Sequence, residues 1–558
     1  MFRQCKHSVS RTIPPLHRQL LIHRQLLTPA LVFLALAISG AAQTTNMAPV
    51  SGSAKGGNSG KAGSSNTGNI PENGDWTFAG QDLGNSRNQP QESNINASNA
   101  NTLTVKWSFT TNASVSATPT VSNPDVYFPD WAGNLYAVKA NSGTVDWQTK
   151  ISSYTGIPND LSRTSPAIYD NELILGDDLS EAGPHQGARL MAVDRKTGNL
   201  LWVTQIDSHP AAIITGSAVV YNGVVYQGVS SAEEEYATKP EYPCCSFRGS
   251  MVAVDAKTGQ ILWKTYTVPD NGGATDQYSG GGIWQPPVID PAKGSLYVGT
   301  GNNYTAPADV EACQTNDPQS SSCTAPNDYF NSVLSINLQS GAIQWGHKLS
   351  GWDTWTVACA QPGNPSACPS PPGPNFDFGG SGGNLMGNLV GFGQKSGMYW
   401  ALNTSDGSIA WATQMGPGGN LGGILWGTAT DGKRAYGTLT NNEHFNYPLA
   451  NRQTITGSAW NALDATTGQI LWQTPDPAQG DSFNMSAVSV ANGVLYSGAM
   501  DGHMYAIDAA TGKILWSFQS GGTVIDGPAI SHGVLYWGSG YARSGGSPDN
   551  KVYAFALP

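Results

Sequence analysis

Seven stretches of this chain share one ending: an alternating strand, a turn containing Gly, and a strand that carries a tryptophan. The clearest copies are VAVDAKTGQILW ending at Trp263, NALDATTGQILW at Trp472 and YAIDAATGKILW at Trp516. Weaker copies are YAVKANSGTVDW at Trp147, MAVDRKTGNLLW at Trp202, LSINLQSGAIQW at Trp345 and ALNTSDGSIAW at Trp411. Further strand-like runs precede each ending, so the repeating unit is four strands. Such a unit cannot bury its own apolar faces and must stack on its copies. An eighth copy begins at Gly527 (GPAISHGVLYWGSGY) and stops after KVYAFAL without its Trp strand. The missing strand is available upstream as LTVKWSF, around Trp107. The expected fold is all-β: an eight-bladed β-propeller of four-stranded antiparallel blades, its ring closed by the N-terminal strand. Closure of this kind removes exposed sheet edges. The Gly turns serve tight hairpins, and the tryptophans supply apolar bodies to pack between blades.

The propeller occupies residues 74–558. Residues 1–42 read as an export signal: Arg3, Lys6, Arg11, Arg18 and Arg24 without an acid, an apolar run from Leu26 to Ile38, then small residues ending at Ala42. That run falls short of the ~20 residues that span a bilayer. Residues 43–73 are rich in Gly, Ser and Asn and read as a disordered linker. The full chain has 28 basic and 39 acidic residues; cleavage at Ala42 leaves 23 basic against the same acids. That surface disfavours nucleic acid and suits a basic protein partner. Of seven cysteines, Cys5 lies in the signal, and the rest form close pairs: Cys244–Cys245, Cys313–Cys323 and Cys359–Cys368. Three disulfides in an exported, periplasmic or secreted protein are expected. The absence of CxxCH argues against covalent haem.

The longest insertions, 230–249, 302–328 and 350–380, fall at second-to-third strand loops or between blades, positions that share one face of a propeller. Binding sites usually sit on such loops. They carry acids (Glu233, Glu234, Glu235, Asp353, Asp377) and amides (Asn302, Asn303), with Lys395 and Trp284 nearby. Oxygen donors converging from different blades suit a hard cation such as Ca²⁺ and not zinc. The alternative is that these acids merely solubilise long loops.

The opening DWTFAGQDLGNSRNQ (75–89), the repeated AxDxxTGxxLW turn and LYVGTGNNYT (296–305) resemble the pyrroloquinoline-quinone (PQQ)-dependent alcohol dehydrogenases. GIWQPPVIDPAKGSLYVGTGNNYT, GQKSGMYWALN, GPGGNLGGILWGTATDG and GGTVIDGPAISHGVLYWGSGY point to the polyvinyl alcohol dehydrogenase branch. The resemblance implies an alcohol-oxidising enzyme with PQQ and Ca²⁺ and an external cytochrome c as electron acceptor; no other stretch is long and apolar enough for a membrane span. It matches GVSSAE to a calcium-binding Glu, here Glu233, and GTGN to the Asn ligand, here Asn302. Trp284 corresponds to the tryptophan stacked under the quinone. Thr215 in ITGSA, Arg163 and the adjacent cysteines Cys244 and Cys245 correspond to further cofactor contacts. Lys395 in GQKSG corresponds to the basic residue beside the quinone carbonyl. For the catalytic base, which is also among the metal donors, Asp377 in NFDFGG is the stronger match and Asp353 the alternative.

The resemblance implies that the base removes the alcohol proton, that calcium polarises the quinone carbonyl, and that Lys395 steadies the developing charge. Gly379 and Trp355, two residues past the two candidate bases, are not acidic, which favours calcium over a lanthanide. Two departures stand out. Cys244–Cys245 shares a loop with Glu233 instead of coming from an early blade, and the late aromatic near the cofactor falls at Phe483–Asn484. A cofactor-free propeller scaffold of the cell envelope is the competing reading.

Overall fold

The computed structural model describes residues 74–178, 186–317, 323–361, 363–480 and 483–558. The signal and linker expected at 1–73 lie outside them. Eight antiparallel sheets follow one another along the chain, spanning 120–150, 167–207, 219–266, 288–348, 383–414, 429–475, 488–519 and 529–556. The α-helices among the described residues are three short ones: Ile151–Thr155, Glu233–Tyr236 and Ala308–Asn316. The architecture is the eight-bladed propeller that the repeats imply. In the eighth blade the strand Thr104–Thr110 pairs with the final strand, Lys551–Ala556, and Trp107 lies opposite Ala554. The two ends of the folded region therefore complete one sheet.

The Gly turn and the tryptophan prove to be two halves of one inter-blade joint. Trp107, Trp147, Trp202, Trp263, Trp345, Trp411, Trp472 and Trp516 each donate Nε1–H to a backbone carbonyl of the following blade, at 2.6–3.4 Å. A buried indole N–H needs such a partner. For seven of them, all but Trp516, the ring meanwhile lies on the next blade's Gly turn; the eighth blade is closed by the Thr104–Thr110 strand instead. At Gly259 (φ +73°) an added Cβ would sit 2.7 Å from the Trp202 ring and 2.6 Å from Thr204 Oγ1. Gly259→Ala should cost about 2–4 kcal/mol, combining left-handed backbone strain with a clash at the joint. Chemical denaturation measures it; a cost below ~0.5 kcal/mol would remove Gly259 from the joint.

One end of the ring carries the first hairpin turn of each blade. There residues 76–89 run as a belt around the axis. Trp76 bridges Val121 of blade 1. Ile168, Ile289, Leu385, Thr430 and Val490 donate backbone N–H groups to Thr77, Leu83, Gly84, Ser86 and Arg87, at 2.7–2.9 Å. Gln89 Nε2 reaches Ile530 O of blade 8 at 3.0 Å. Phe78 and Leu83 join the apolar cluster that contains Val219 and Val220 of blade 3. The belt spans the ring. The opposite end gathers the long loops and the connections between blades, with disulfides Cys244–Cys245, Cys313–Cys323 and Cys359–Cys368.

Candidate active site

Three backbone segments lace together at the loop end. Gly281 N donates to Asn302 O (2.9 Å), Gly301 N to Gly282 O (2.8 Å), and Phe378 N to Thr300 O (3.1 Å). This brings the loop before Trp284, the turn at Asn302 and the segment around Asp377 side by side, although they are far apart in sequence. Lys395 N completes the lacing by donating to Asp377 O at 3.1 Å.

Asp377 and Lys395 form a buried ion pair, Oδ2 to Nζ 2.8 Å, with side chains 3% and 8% exposed. Lys395 also donates to Asn375 Oδ1 at 3.2 Å. Asp377 Oδ1 is buried and, among the described residues, has no hydrogen-bond partner. Burial raises the Asp377 pKa, while the Lys395 charge pulls it back. Burial works against the lysine's charge too, yet Asp377 and Glu234 hold its pKa above the ordinary value. A bare carboxylate oxygen costs free energy unless a ligand, proton or cation completes it.

Asp353 is spent differently. Asn375 N (2.8 Å) donates to Oδ1, and Phe376 N (2.6 Å) and Asn331 Nδ2 (2.6 Å) donate to Oδ2. It is fully buried. Its bonds hold the two residues that precede Asp377, so it braces the segment and presents no free oxygen. Burial nevertheless pushes its pKa up to about 6, against those bonds.

Trp284 lies beside the pair, with Lys395 Nζ 5.4 Å from the ring centroid. Added Cβ atoms on Gly379 and Gly380 would lie 1.7 and 2.3 Å from the indole. Only glycines allow the backbone after Asp377 to lie this close to the ring. Trp426 meets it edge-on at 5.3 Å. Arg163 stacks at 4.9 Å on Trp426 and 5.2 Å on Trp131. Arg163, Thr215 and Trp426 share a cavity of about 60 Å³, and Thr215 Oγ1 approaches Trp284 O at 3.4 Å.

The acidic loop divides its labour. Glu233 accepts from Tyr242 Oη (3.1 Å), Ser246 N (2.9 Å) and Phe247 N (2.8 Å), using both oxygens. These donors include the residues directly after Cys244–Cys245, so Glu233 anchors the ring of adjacent cysteines. The short helix Glu233–Tyr236 begins here, and successive side chains diverge around it. Glu234 is half-buried. Burial, opposed by Lys395 and reinforced by Glu235, Asp377 and Asp353, pushes its pKa up to about 8. Its carboxyl belongs to the electrostatic field of the ion pair. Asn302 donates its amide to Asn303 O and Trp355 O, both 2.9 Å, which turns Oδ1 the other way. Cys245 O accepts from Thr305 Oγ1 at 3.3 Å, three residues beyond Asn302.

A family model described as outer membrane protein assembly factor BamB matches residues 91–327 and 457–556. The polyvinylalcohol dehydrogenase of Sphingopyxis sp. (strain 113P3) is 34% identical over 495 residues, covering 79% of this chain and 68% of that protein. The chain belongs to the propeller-repeat family of that model and, within it, to the polyvinyl alcohol dehydrogenase branch of quinoproteins. A second such dehydrogenase, from Pseudomonas sp., is 29% identical over 84% of this chain and 73% of its own length. The fold matches quinohemoprotein alcohol dehydrogenase from Comamonas testosteroni, with TM-score 0.64 and 19% identity, covering 87% of this chain and 80% of the other.

Three residues of the candidate site, Asn375, Trp131 and Trp426, escaped sequence reasoning. Asn375 is invisible as a partner of Lys395 because nothing local marks it. Glu234 stood among the candidate donors, but two neighbouring glutamates hid which of them lies in the field of Lys395. Trp426 and Trp131 lie outside the blade register, as Trp284 does, and that displacement was the available signal. Phe483 packs with the cluster around Trp284 and Trp426, whereas Asn484 is taken up by Asp476 Oδ2 (3.1 Å) and Gly498 O (2.9 Å).

Proposed function

We propose that this chain is a PQQ-dependent dehydrogenase of secondary alcohol groups, with Asp377 as its base, acting outside the cytoplasm and delivering electrons to an external cytochrome c. The observation that carries the reading is Asp377: one oxygen held by Lys395, the other buried and bare, beside a tryptophan whose ring is backed by glycines. The residues present fit the cofactor pair. Trp284 offers a flat apolar surface, Arg163 and Thr215 line its surroundings, and Cys244–Cys245 lies on the neighbouring loop. Among the described residues no three His, Cys, Asp or Glu side chains cluster as a metal site. A calcium ion would therefore draw on Glu234, Asp377 and the amide oxygen of Asn302, the mixed oxygen set that Ca²⁺ accepts. Glu233, the sequence match for the metal donor, serves in this reading as the anchor of the disulfide loop.

When bound, the quinone accepts the two electrons and the hydrogen of the alcohol carbon, and the cation polarises its carbonyl. The chain's residues do the rest. Asp377 takes the hydroxyl proton at Oδ1. Lys395 keeps Asp377 ionised and supplies a positive charge where negative charge develops. Asp353 and Asn375 hold the base and the lysine in register, and the aromatic walls exclude water. Export is supported by the three disulfides. No helix among the described residues is long and apolar enough to cross a membrane.

The test is a titration of apo-protein with PQQ and Ca²⁺, followed by cofactor absorbance, in wild type, Glu234→Gln and Glu233→Gln. Stoichiometric, calcium-dependent binding is expected, weakened roughly ten-fold or more by Glu234→Gln. Glu233→Gln should chiefly loosen the cysteine loop. If the wild type binds no quinone with calcium present, the scaffold reading replaces this one.

A further inference from the structure

Cations and aromatic rings alternate along the floor of the candidate site. Lys395 Nζ stands 5.4 Å from the Trp284 ring centroid, and Trp284 meets Trp426 at 5.3 Å. The Arg163 guanidinium lies 4.9 Å from Trp426 and 5.2 Å from Trp131. One more cation ends the row: Arg543, on the loop between the second and third strands of blade 8, stacks on Trp131 at 4.9 Å. Trp131 is fixed, because its Nε1–H donates to Ser116 Oγ at 2.8 Å. The loop is fixed too, since the buried ring of Tyr541 packs on Trp131 at 6.1 Å. Arg543 itself is half-buried and borders a solvent-open recess that Asp549 shares, which leaves its guanidinium room to turn. Glu235 of the short blade 3 helix lies in the field of Arg543 and of Lys395: desolvation raises its pKa, and both cations oppose the rise. Charges from blades 5 and 8 thus meet at one carboxyl of blade 3, so Arg543 looks inward across the ring.

We propose that Arg543 is a cofactor-binding residue, its guanidinium taking up a carboxylate of PQQ when the quinone is bound. The inference rests on the dehydrogenase reading above and deepens it. PQQ is a flat quinone that carries three carboxylates. Its ring suits an aromatic floor, but its negative charge meets a loop end crowded with Glu234, Glu235, Asp353 and Asp377. Such a ligand is repelled unless cations offset that field. Two of the cations in the row already have acids beside them: Lys395 is paired with Asp377 at 2.8 Å, and Arg163 has Asp178 at 3.9 Å. Arg543 adds positive charge at the end of the row away from Lys395. A guanidinium offers two parallel N–H groups to a carboxylate, and its planar face can stay on an indole while it does so. Trp131 is the platform that Arg543 needs for that arrangement.

The experiment titrates the quinone-free protein with PQQ at saturating Ca²⁺, over a series of salt concentrations, in wild type, Arg543→Gln and Arg543→Lys. Cofactor absorbance and tryptophan fluorescence report binding without any turnover. Arg543→Gln is expected to raise the Kd for PQQ roughly ten- to a hundred-fold, the share of one charge-assisted hydrogen bond. Arg543→Lys keeps the charge without the fork and should regain only part of that. Wild-type affinity should fall with rising salt, and Arg543→Gln should flatten this dependence, because one screened attraction is gone. The melting temperature of the quinone-free variants should match wild type. A Kd in Arg543→Gln within about two-fold of wild type would overturn the assignment. So would a weaker Kd with an unchanged salt dependence and a lower melting temperature, which would make Arg543 a packing residue of Trp131. If wild type binds no PQQ at any salt concentration, the dehydrogenase reading fails first, and the role of Arg543 falls with it.

Discussion

Asp377→Asn should lower kcat by roughly 10²–10⁴-fold, the contribution of a positioned general base, while the folded state survives. The amide replaces the carboxylate without changing shape and still offers an oxygen to Lys395. What it lacks is the basic second oxygen, the atom without a hydrogen-bond partner among the described residues. Asp353→Asn is the discriminating control. The Asp353 carboxylate is taken up by Asn331, Asn375 and Phe376. An amide there turns its NH₂ toward a donor and disrupts the brace, so the expected signature is a lower melting temperature with a smaller, roughly ten-fold loss of turnover. Steady-state dye reduction and thermal unfolding on the same preparations separate the two. If Asp353→Asn loses more turnover than Asp377→Asn at equal stability, the roles are reversed.

The second large effect concerns the belt, which reaches the axial cavity that Arg163, Thr215 and Trp426 also line. Arg87→Met should destabilise the propeller by about 3–5 kcal/mol, the usual consequence of removing one member of a buried charged network. Arg87 is 5% exposed. Its guanidinium donates to Val488 O (2.7 Å), Ala79 O (3.1 Å) and Thr118 Oγ1 (3.0 Å), tying the belt to blades 7 and 1. Burial lowers its pKa to about 10, against the opposing charge of Asp526. Asp526 lines the same axial cavity, both its oxygens without a hydrogen-bond partner among the described residues, and burial raises its pKa well above the ordinary value. Removing the guanidinium strands three acceptors and leaves Asp526 without its counter-charge. Arg87→Lys keeps the charge but not the fork and should recover only part of the loss. Urea unfolding midpoints test this; an Arg87→Met midpoint within ~1 kcal/mol of wild type would show that the belt closes the ring by its backbone alone.

The belt also marks a limit of sequence reading. DWTFAGQDLGNSRNQ stood out only as a family likeness, because it is neither periodic nor repeated. Its purpose exists only once the inner strands of all eight blades surround it. Trp426 is similar: it reads as one more aromatic until the ring closes and brings it edge-on to Trp284.

The sequence by itself determined the blades, their number and their order. Gly turns and tryptophans are local, repeated signals, and a repeating unit with one apolar register has few ways to stack. It also determined which loops share a face, because strand alternation sends every second-to-third loop to the same end. Only the tertiary structure shows which donors reach Glu233, Asp353 and Asp377, and which carboxylate oxygen is left bare. A carboxylate's role depends on which donors reach its oxygens, and those donors arrive from residues tens of positions away. A single turn at the start of a short helix points two adjacent glutamates to different neighbours, and composition and spacing are the same either way.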